Sequence, residues 1–346
     1  MNLKELSQLL SLSQTTVSRA LNGYPEVGEA TRARVKAAAK AHNYSANTGA
    51  QRLATGRSKT IGHILPVTEG SEMVNPIFAD FLAGASEAYA LRGYDLLISR
   101  VRGGDEKSAY QKLVKKGVID GIVVQGPRIF DRRLELLNKM DIPFVVHGRS
   151  SDVEFPYSWV DVNNRNAFKR ATKHLIDLGH KRIALVNGII DFDFATRRQK
   201  GYFEALSEHN IALDQDLIRS DEMTEVFGHH SARDLIRSNN PPTAFVVSSL
   251  ISAIGIRRAI EEADLKVGRD ISIVTHDDDL SYLKNGQEVP IFTATRSSVR
   301  LAGQIAAEML IEQIENPDLK AQSRLLEAEL IVGRSTGPFK LLQLEK

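Results

Sequence analysis

The chain has 346 residues, enough for two or three domains that each bury a core. With 42% apolar and 25% charged residues it is neither fibrous nor disordered, and without cysteine it can hold no disulfide, thiolate metal site or cysteine nucleophile. The net charge of +2 is unevenly spread, because residues 1–60 carry nine lysines and arginines against three glutamates, a net +6, which leaves the rest at −4. A basic head on a mildly acidic body is the asymmetry of a nucleic-acid binder with a second function. The opening Met1-Asn2-Leu3-Lys4-Glu5 has no long apolar stretch, so no secretory signal is expected. No apolar run approaches the roughly 18 residues of a membrane span. The expectation is a cytoplasmic protein without a membrane partner.

Leu3, Leu6, Leu9 and Leu10 recur at helical spacing and predict a helix over 3–10. Ser13 is placed to cap a second helix from Gln14 to about Leu21, with Val17 and Leu21 buried, and Asn22-Gly23 ends it. A third helix, from Glu29 to His42, turns Val35 and the alanines inward. Two helices joined by a three-residue turn and followed by a third outline a helix-turn-helix. Its second helix would present Gln14, Thr15 and Thr16, then Ser18 and Arg19, to base edges in the major groove. Gln pairs two-pronged with adenine, Thr meets a thymine methyl, and Arg suits guanine or phosphate. The rival reading is the solvated face of a small helical bundle.

The run Ser13-Gln14-Thr15-Thr16-Val17-Ser18-Arg19-Ala20-Leu21-Asn22 resembles the signature of the lac/gal repressor family of bacterial transcription regulators. Val27, Thr31-Arg32, Val35, Ala38, Asn43-Tyr44 and Asn47 keep that family's spacing, and Ala50-Gln51-Arg52-Leu53-Ala54 stands where the family has its hinge helix. The likeness continues through the rest of the chain. Leu3-Lys4-Glu5-Leu6, Leu12 to Thr16 and Asn22-Gly23-Tyr24-Pro25 are most similar to regulators of α-glucoside or disaccharide use. The resemblance implies that Ser13, Asn22, Tyr44, Asn47, Ala50, Leu53 and Ala54 join the DNA contacts. A segment from Asn47 to Ala54 is too short to hold a helix alone in water. It should order only when two copies meet over a bent minor groove, with Leu53 wedged between base steps; the alternative is Leu53 packed on the headpiece. Ala46 departs from the family's usual proline and leaves this backbone freer.

From Ile61 onward strand-like runs alternate with amphipathic helices. The strands are Ile61–Pro66, Tyr94–Ser99, Gly121–Val124, Phe144–His147, Trp159–Val162, Ile183–Val186, Ala244–Val247 and Ile271–Val274. The helices are Phe78–Leu91, Glu106–Lys116, Ala167–Leu178, Arg198–His209, His229–Arg237 and Ile251–Ala263. This predicts an α/β body of two doubly wound parallel-sheet lobes. The resemblance makes it periplasmic-binding-protein-like, with three crossings between lobes, Arg300–Glu315 returning to the first and Leu330–Val332 to the second. The expected divisions are a headpiece over 1–45, a hinge over 46–60, a first lobe over 61–160 plus 294–323, and a second over 161–293 plus 324–336.

In such sheets a ligand lies beyond the carboxyl ends of the strands. Asn75-Pro76-Ile77-Phe78 and the Arg-x-x-Gly run Arg198-Gln199-Lys200-Gly201 match family motifs there. A guanidinium such as Arg198 donates forked hydrogen bonds and Asp277 accepts from hydroxyls. Phe78, Phe192, Phe194 and Trp159 offer faces to a sugar ring. Phe78 would serve equally as core, His147 and Arg149 equally as a salt bridge at a strand end, and Met223 as packing. Ser249-Leu250 and Thr275-His276 replace the family's usual Asn-Asp and Gly-aromatic pairs, so one polar anchor is missing.

A metal enzyme reading of His276-Asp277-Asp278-Asp279 or His229-His230 fails, since adjacent residues rarely converge on one ion. No dinucleotide or phosphate-loop motif is present. The sequence therefore predicts a regulator without cofactor or enzymatic activity, a repressor that binds pseudo-palindromic operator DNA as a homodimer under control of a sugar. The rival is a cytoplasmic sugar-binding protein with no DNA function.

Overall fold

The computed structural model describes residues 1–44, 56–67, 75–102 and 106–339. The chain divides into two compact units, residues 1–59 with 117–119, and residues 60–116 with 120–346.

The first unit holds helices α1 (Leu3–Leu9), α2 (Gln14–Leu21) and α3 (Glu29–Ala41). Asn2 opens α1 with a capping box, its side chain on the Glu5 N–H and the Glu5 carboxylate back on its own N–H. Ser11 turns the chain toward α2 in the left-handed region, at φ 54°, while Leu12 N–H reaches Ser7 O at 3.0 Å. Ser13 then caps α2, accepting from Thr16 N–H at 3.0 Å. Gly23, at φ 77°, closes it as expected from Asn22-Gly23. Leu6, Val17, Ala20, Val27, Val35 and Ala39 form the core. Two expected core positions differ. Leu21 is only partly buried, the inner position falling to Ala20, and Leu9 is 53% exposed because it points away from α2 and α3.

The second unit contains two six-stranded sheets. The first is ordered β11-β5-β4-β3-β1-β2, from β1 (Thr60–Val67), β2 (Asp95–Arg102), β3 (Gly121–Gln125), β4 (Phe144–His147), β5 (Ser158–Val162) and β11 (Ser323–Leu326). The second is ordered β12-β10-β9-β8-β6-β7, from β6 (Ile183–Asn187), β7 (Ile218–Ser220), β8 (Ala244–Val247), β9 (Ser272–Asp277), β10 (Thr293–Arg296) and β12 (Glu329–Ile331). All pairings are parallel except β10 with β12. The central strands are mostly apolar and almost wholly buried because both faces are covered, and their polar residues, Gln125, His147, Asn187 and Asp277 among them, fall chiefly at the carboxyl ends. Val186, Phe245 and Val247 point to one core of the second lobe, and Leu185, Ala244 and Val246 to the other.

The helices are α4 (Pro76–Leu91), α5 (Glu106–Lys115), α6 (Arg132–Lys139), α7 (Asn164–Asp177), α8 (Asp193–Glu208), α9 (Glu225–Ile236), α10 (Leu250–Glu262) and α11 (Val299–Glu315). Three begin three or more residues earlier than the sequence suggests. Asn163 and Thr224 cap α7 and α9 upstream of the first apolar periodicity, and α8 starts at Asp193 without a side-chain cap. His229-His230 therefore lies within α9, not at its start, and His229 pairs with Glu262 at 2.7 Å. Helix α6 and strands β7, β10 and β11 are too short or too polar to stand out in sequence. The lobe crossings also shift. All of β10 pairs with β9, so the chain leaves the second lobe after Arg296 and not after 293. Strand β11 pairs with β5, so the last crossing follows Leu326 and not 323.

Glycine sets the closest helix approach. A methyl on Gly201 of α8 would overlap the Arg165 carbonyl oxygen on α7, far inside van der Waals contact distance. Gly201 belongs to the Arg198-x-x-Gly run, so the glycine draws α8 onto α7 and the arginine one turn earlier is carried with it. Gly201→Ala should cost about 3 kcal/mol by overpacking. A thermal melt checks this; an unchanged midpoint would show that α8 can shift without loss.

Candidate functional site

In the headpiece, Gln14, Thr15 and Arg19 stand exposed on α2, as a base-reading face requires. Ser13 and Thr16 are tied to each other, Oγ to Oγ1 at 2.8 Å, so the cap occupies them before any DNA contact. Ser18 is partly buried and its Oγ lies 3.4 Å from Asn22 Nδ2. Tyr44 packs partly buried against the headpiece core instead of standing free. Asn47, Ala50, Leu53 and Ala54 lie outside the described residues.

In the second unit, the strand ends of both lobes converge on Arg198. Its Nε donates to Asn164 Oδ1 at 2.8 Å and its Nη1 to the Ser248 carbonyl at 2.6 Å. The guanidinium lies between Phe168 and Phe194, at 5.0 and 4.9 Å from their centroids. Among the described residues Nη2 has no acceptor, which leaves one edge of the fork for a ligand. Burial draws the Arg198 guanidinium down to about 10, against the pull of Asp278 and Asp161.

Asp278 is the carboxylate that faces this charge. Burial opposes its ionisation, yet His276, Arg198 and His147 together hold it below the usual carboxylate range. Asp277, the acceptor expected from sequence, is otherwise engaged. Its Oδ2 pairs with Nε and Nη2 of Arg296 at 3.0 Å, and its Oδ1 accepts from Asp279 N–H at 2.9 Å. Strand β9 runs on to Asp277, so side-chain alternation puts Asp277 and Asp278 on opposite sides.

Other expected positions divide between the cleft and the framework. His147 ends β4, stacks on Phe81 at 4.4 Å and is brought down to about 4 by burial, against the pull of Asp278. Its partner across β3 is Gln125, whose Nε2 is buried with no acceptor among the described residues. Sequence reasoning missed Gln125; the signal was a lone amide closing an apolar strand. Arg149 is a salt bridge, its Nε 2.7 Å from Asp161 and its guanidinium 4.9 Å above Trp159. Phe78 is buried on α4. Ser249 spends its hydroxyl capping α10, accepting from Ile251 N–H at 3.1 Å. Phe194 and Met223 both lie close to Gly188, just past the end of β6.

Phe192 sits in the seam between lobes. Its ring packs beside Gly126 and lies beneath the Arg128 guanidinium at 5.9 Å. The same seam has Ile129 N–H on Asp191 O and Asp193 N–H on Pro127 O, each at 3.1 Å, and Ser151 Oγ on Asp193 at 2.5 Å. On the far side Asp80 of α4 accepts from Ser281 N–H and Oγ, at 2.7 and 2.5 Å, while Leu280 enters the first-lobe core. No group of three metal-ligating side chains occurs among the described residues.

A three-helix head with exposed polar residues on α2 and a two-lobed body with Arg198, Asp278 and aromatic rings gathered at its strand ends define the class of ligand-responsive DNA-binding regulators. The sequence pattern of bacterial regulatory proteins, lacI family, matches residues 2–47, and that of a periplasmic binding protein-like domain matches 172–336. The HTH-type transcriptional regulator AglR of Rhizobium meliloti (strain 1021) is 44% identical over 97% of this chain and 94% of its own. A transcriptional regulator CelR–cellobiose complex superposes with a TM-score of 0.72 at 26% identity, covering 97% of this chain and 99% of that one. A lac repressor dimer bound to operator and the anti-inducer ONPF shares the fold, with a TM-score of 0.83 at 24% identity over 97% and 99%. The chain belongs to the lacI family of bacterial regulatory proteins. It is a transcriptional regulator and not an enzyme. No described helix is long and apolar enough to cross a membrane.

Proposed function

We propose that this protein is a cytoplasmic, homodimeric repressor whose grip on a pseudo-palindromic operator is controlled by a sugar, of disaccharide or α-glucoside type. The observation that carries the sugar reading is the open Nη2 edge of Arg198 beside the Asp278 carboxylate. A donor fork next to an acceptor, walled by Phe194 and Met223, suits the hydroxyls and apolar face of an uncharged pyranose. The unpartnered amide of Gln125 and the ring of His147 supply further polar contacts from the first lobe. Asp278 takes the acceptor role expected of Asp277. The cellobiose held by a relative that covers nearly the whole chain supports the disaccharide class.

The DNA reading rests on Gln14, Thr15 and Arg19, exposed together on the capped helix. Leu53 is proposed as the minor-groove wedge from the sequence alone. The dimer is supported by apolar side chains left open on the second lobe. Ile254 and Ile291 there flank a groove of about 290 Å³ that Leu250, Leu283 and Phe292 also line.

A duplex selected from a random pool by the full-length protein, followed by anisotropy titrations with cellobiose, maltose, trehalose, sucrose and melibiose, tests the proposal. The selected sites should be two-fold symmetric, and at least one sugar should weaken binding by about 5- to 150-fold. Unchanged affinity across the panel would remove the sugar from the reading. Failure to enrich any duplex would remove the operator.

A further inference from the structure

We propose that Asn164 is a positioning residue that links the state of Arg198 on the second lobe to the Asp161–Arg149 pair on the first. The inference rests on the cleft reading above and adds the route by which its occupancy reaches the other lobe.

The route is a line of bonded side chains laid along the first crossing. Strand β5, which ends at Val162, belongs to the first sheet, and α7, which starts at Asn164, belongs to the second lobe. Asn164 is buried, with 3% of its surface exposed, at the start of that helix. Its Oδ1 accepts from Arg198 Nε at 2.8 Å, while its Nδ2 donates to Asp161 Oδ1 at 3.2 Å and to Val162 O at 3.0 Å. Asp161 Oδ2 in turn takes Arg149 Nε at 2.7 Å, and Arg149 lies over Trp159. An amide suits this place because it accepts from a cation on one side and donates to an anion on the other. A carboxylate would repel Asp161, and an aliphatic side chain would strand both neighbours.

Position and binding separate at this residue. Without the Asn164 carbonyl, Arg198 keeps its bond to Ser248 O and its place between two rings, so its ligand-facing edge persists. Asp161 loses its side-chain hydrogen bond to the second lobe and keeps those from Val162 N–H and Arg149. A residue that merely helped to bind sugar would lower affinity and response together. One that links the lobes lowers the response alone.

The test uses the full-length protein. Melting temperatures without ligand are measured for Asn164→Ala, Arg149→Met and the pair, and again with Asn164→Ser in place of alanine. Linked sites should give a paired loss smaller than the sum of the single losses by several degrees, whereas unlinked sites add. The second arm takes the disaccharide that moves the wild type on its selected duplex. Asn164→Ala should keep its dissociation constant within about threefold while the operator response falls about tenfold or more. Additive melting losses, or parallel losses of affinity and response, overturn the inference. A wild type deaf to every sugar overturns the sugar reading instead, and the ligand-free cycle still decides the link.

Discussion

Arg198→Met should yield a folded, operator-binding protein that no longer hears its sugar. Methionine is long enough to fill the slot between Phe168 and Phe194 and makes favourable sulfur–aromatic contacts there. Replacing a whole buried ion pair by apolar side chains is often neutral, whereas removing one partner costs about 3–5 kcal/mol when it strands the other charge. Here the guanidinium already sits against its preference, drawn down to about 10 by burial. Asp278, deprived of that charge, retains His276 at 3.4 Å and the nearby His147. With Asp278 still paired but Asn164 Oδ1 and the Ser248 carbonyl each losing a donor, the expected loss of unfolding free energy is about 2–4 kcal/mol, less than a domain's typical stability. Sugar binding fares differently, because hydrogen bonds from a charged donor contribute about 1.5–3 kcal/mol each. Loss of the fork should weaken the sugar by about 100-fold or more. Arg198→Lys should fare little better, since a lysine cannot reach Asn164, Ser248 and a ligand from one planar group. Calorimetric titration of the effective disaccharide into both variants decides. Wild-type affinity in Arg198→Met would move the anchor elsewhere in the cleft.

The site was only partly legible in sequence, for physical reasons that differ from residue to residue. Arg198 stood out because the Arg-x-x-Gly run matches a family motif, and the glycine one turn on also fixes the close approach of α7 and α8. Asp277 was chosen over Asp278 because three consecutive aspartates carry no label in one dimension. Only the length of β9 decides which carboxylate faces Arg198, and strand ends are set by pairing with β10, a strand too short to see. Arg149 stood equally as a ligand donor or a strand-end salt bridge, and only the placement of Asp161 beside it by β5 decides for the salt bridge. Phe192 was an aromatic in the right loop, but the seam that claims it depends on Gly126 and Arg128 in the other lobe, long-range contacts that no local pattern encodes. The headpiece was more transparent, since capping by Ser13, the Asn22-Gly23 stop and the burial of Val17 are all local events.

Acid should unfold the second unit well before its carboxylates protonate. His63 is 1% exposed, its Nε2 held 2.9 Å from the Tyr89 hydroxyl and its Nδ1 buried without a partner among the described residues, and burial brings it down to about 3. His147, stacked on Phe81 two strands away, is brought down to about 4. Both are near 6.5 in an unfolded chain. The native state thus holds both rings neutral across the range in which the unfolded state takes up two protons. Their contribution to stability is complete above about pH 6.5 and drains as the pH falls toward 4 and then 3. Each histidine costs up to about 1.4 kcal/mol per pH unit in that window, so at pH 5 the two remove about 4 kcal/mol. Burial likewise holds His174 and His180 below their ordinary value, which adds in the same direction. Asp278 and Asp131, held low, lose their contribution only below the usual carboxylate range, so their effect lies under the histidine window. Asp161, held high by burial, works in the opposite sense, gaining stability as it protonates. Stability from urea unfolding should stay nearly level from pH 7.5 to about 6.5 and then fall, with a slope that approaches two protons between about pH 6 and 5. His147→Phe, which keeps the stack on Phe81, should flatten that slope by about one. A stability that stays level from pH 7 to 5 would mean that water or a cleft ligand reaches these rings, and that the first lobe opens far more readily than its packing implies.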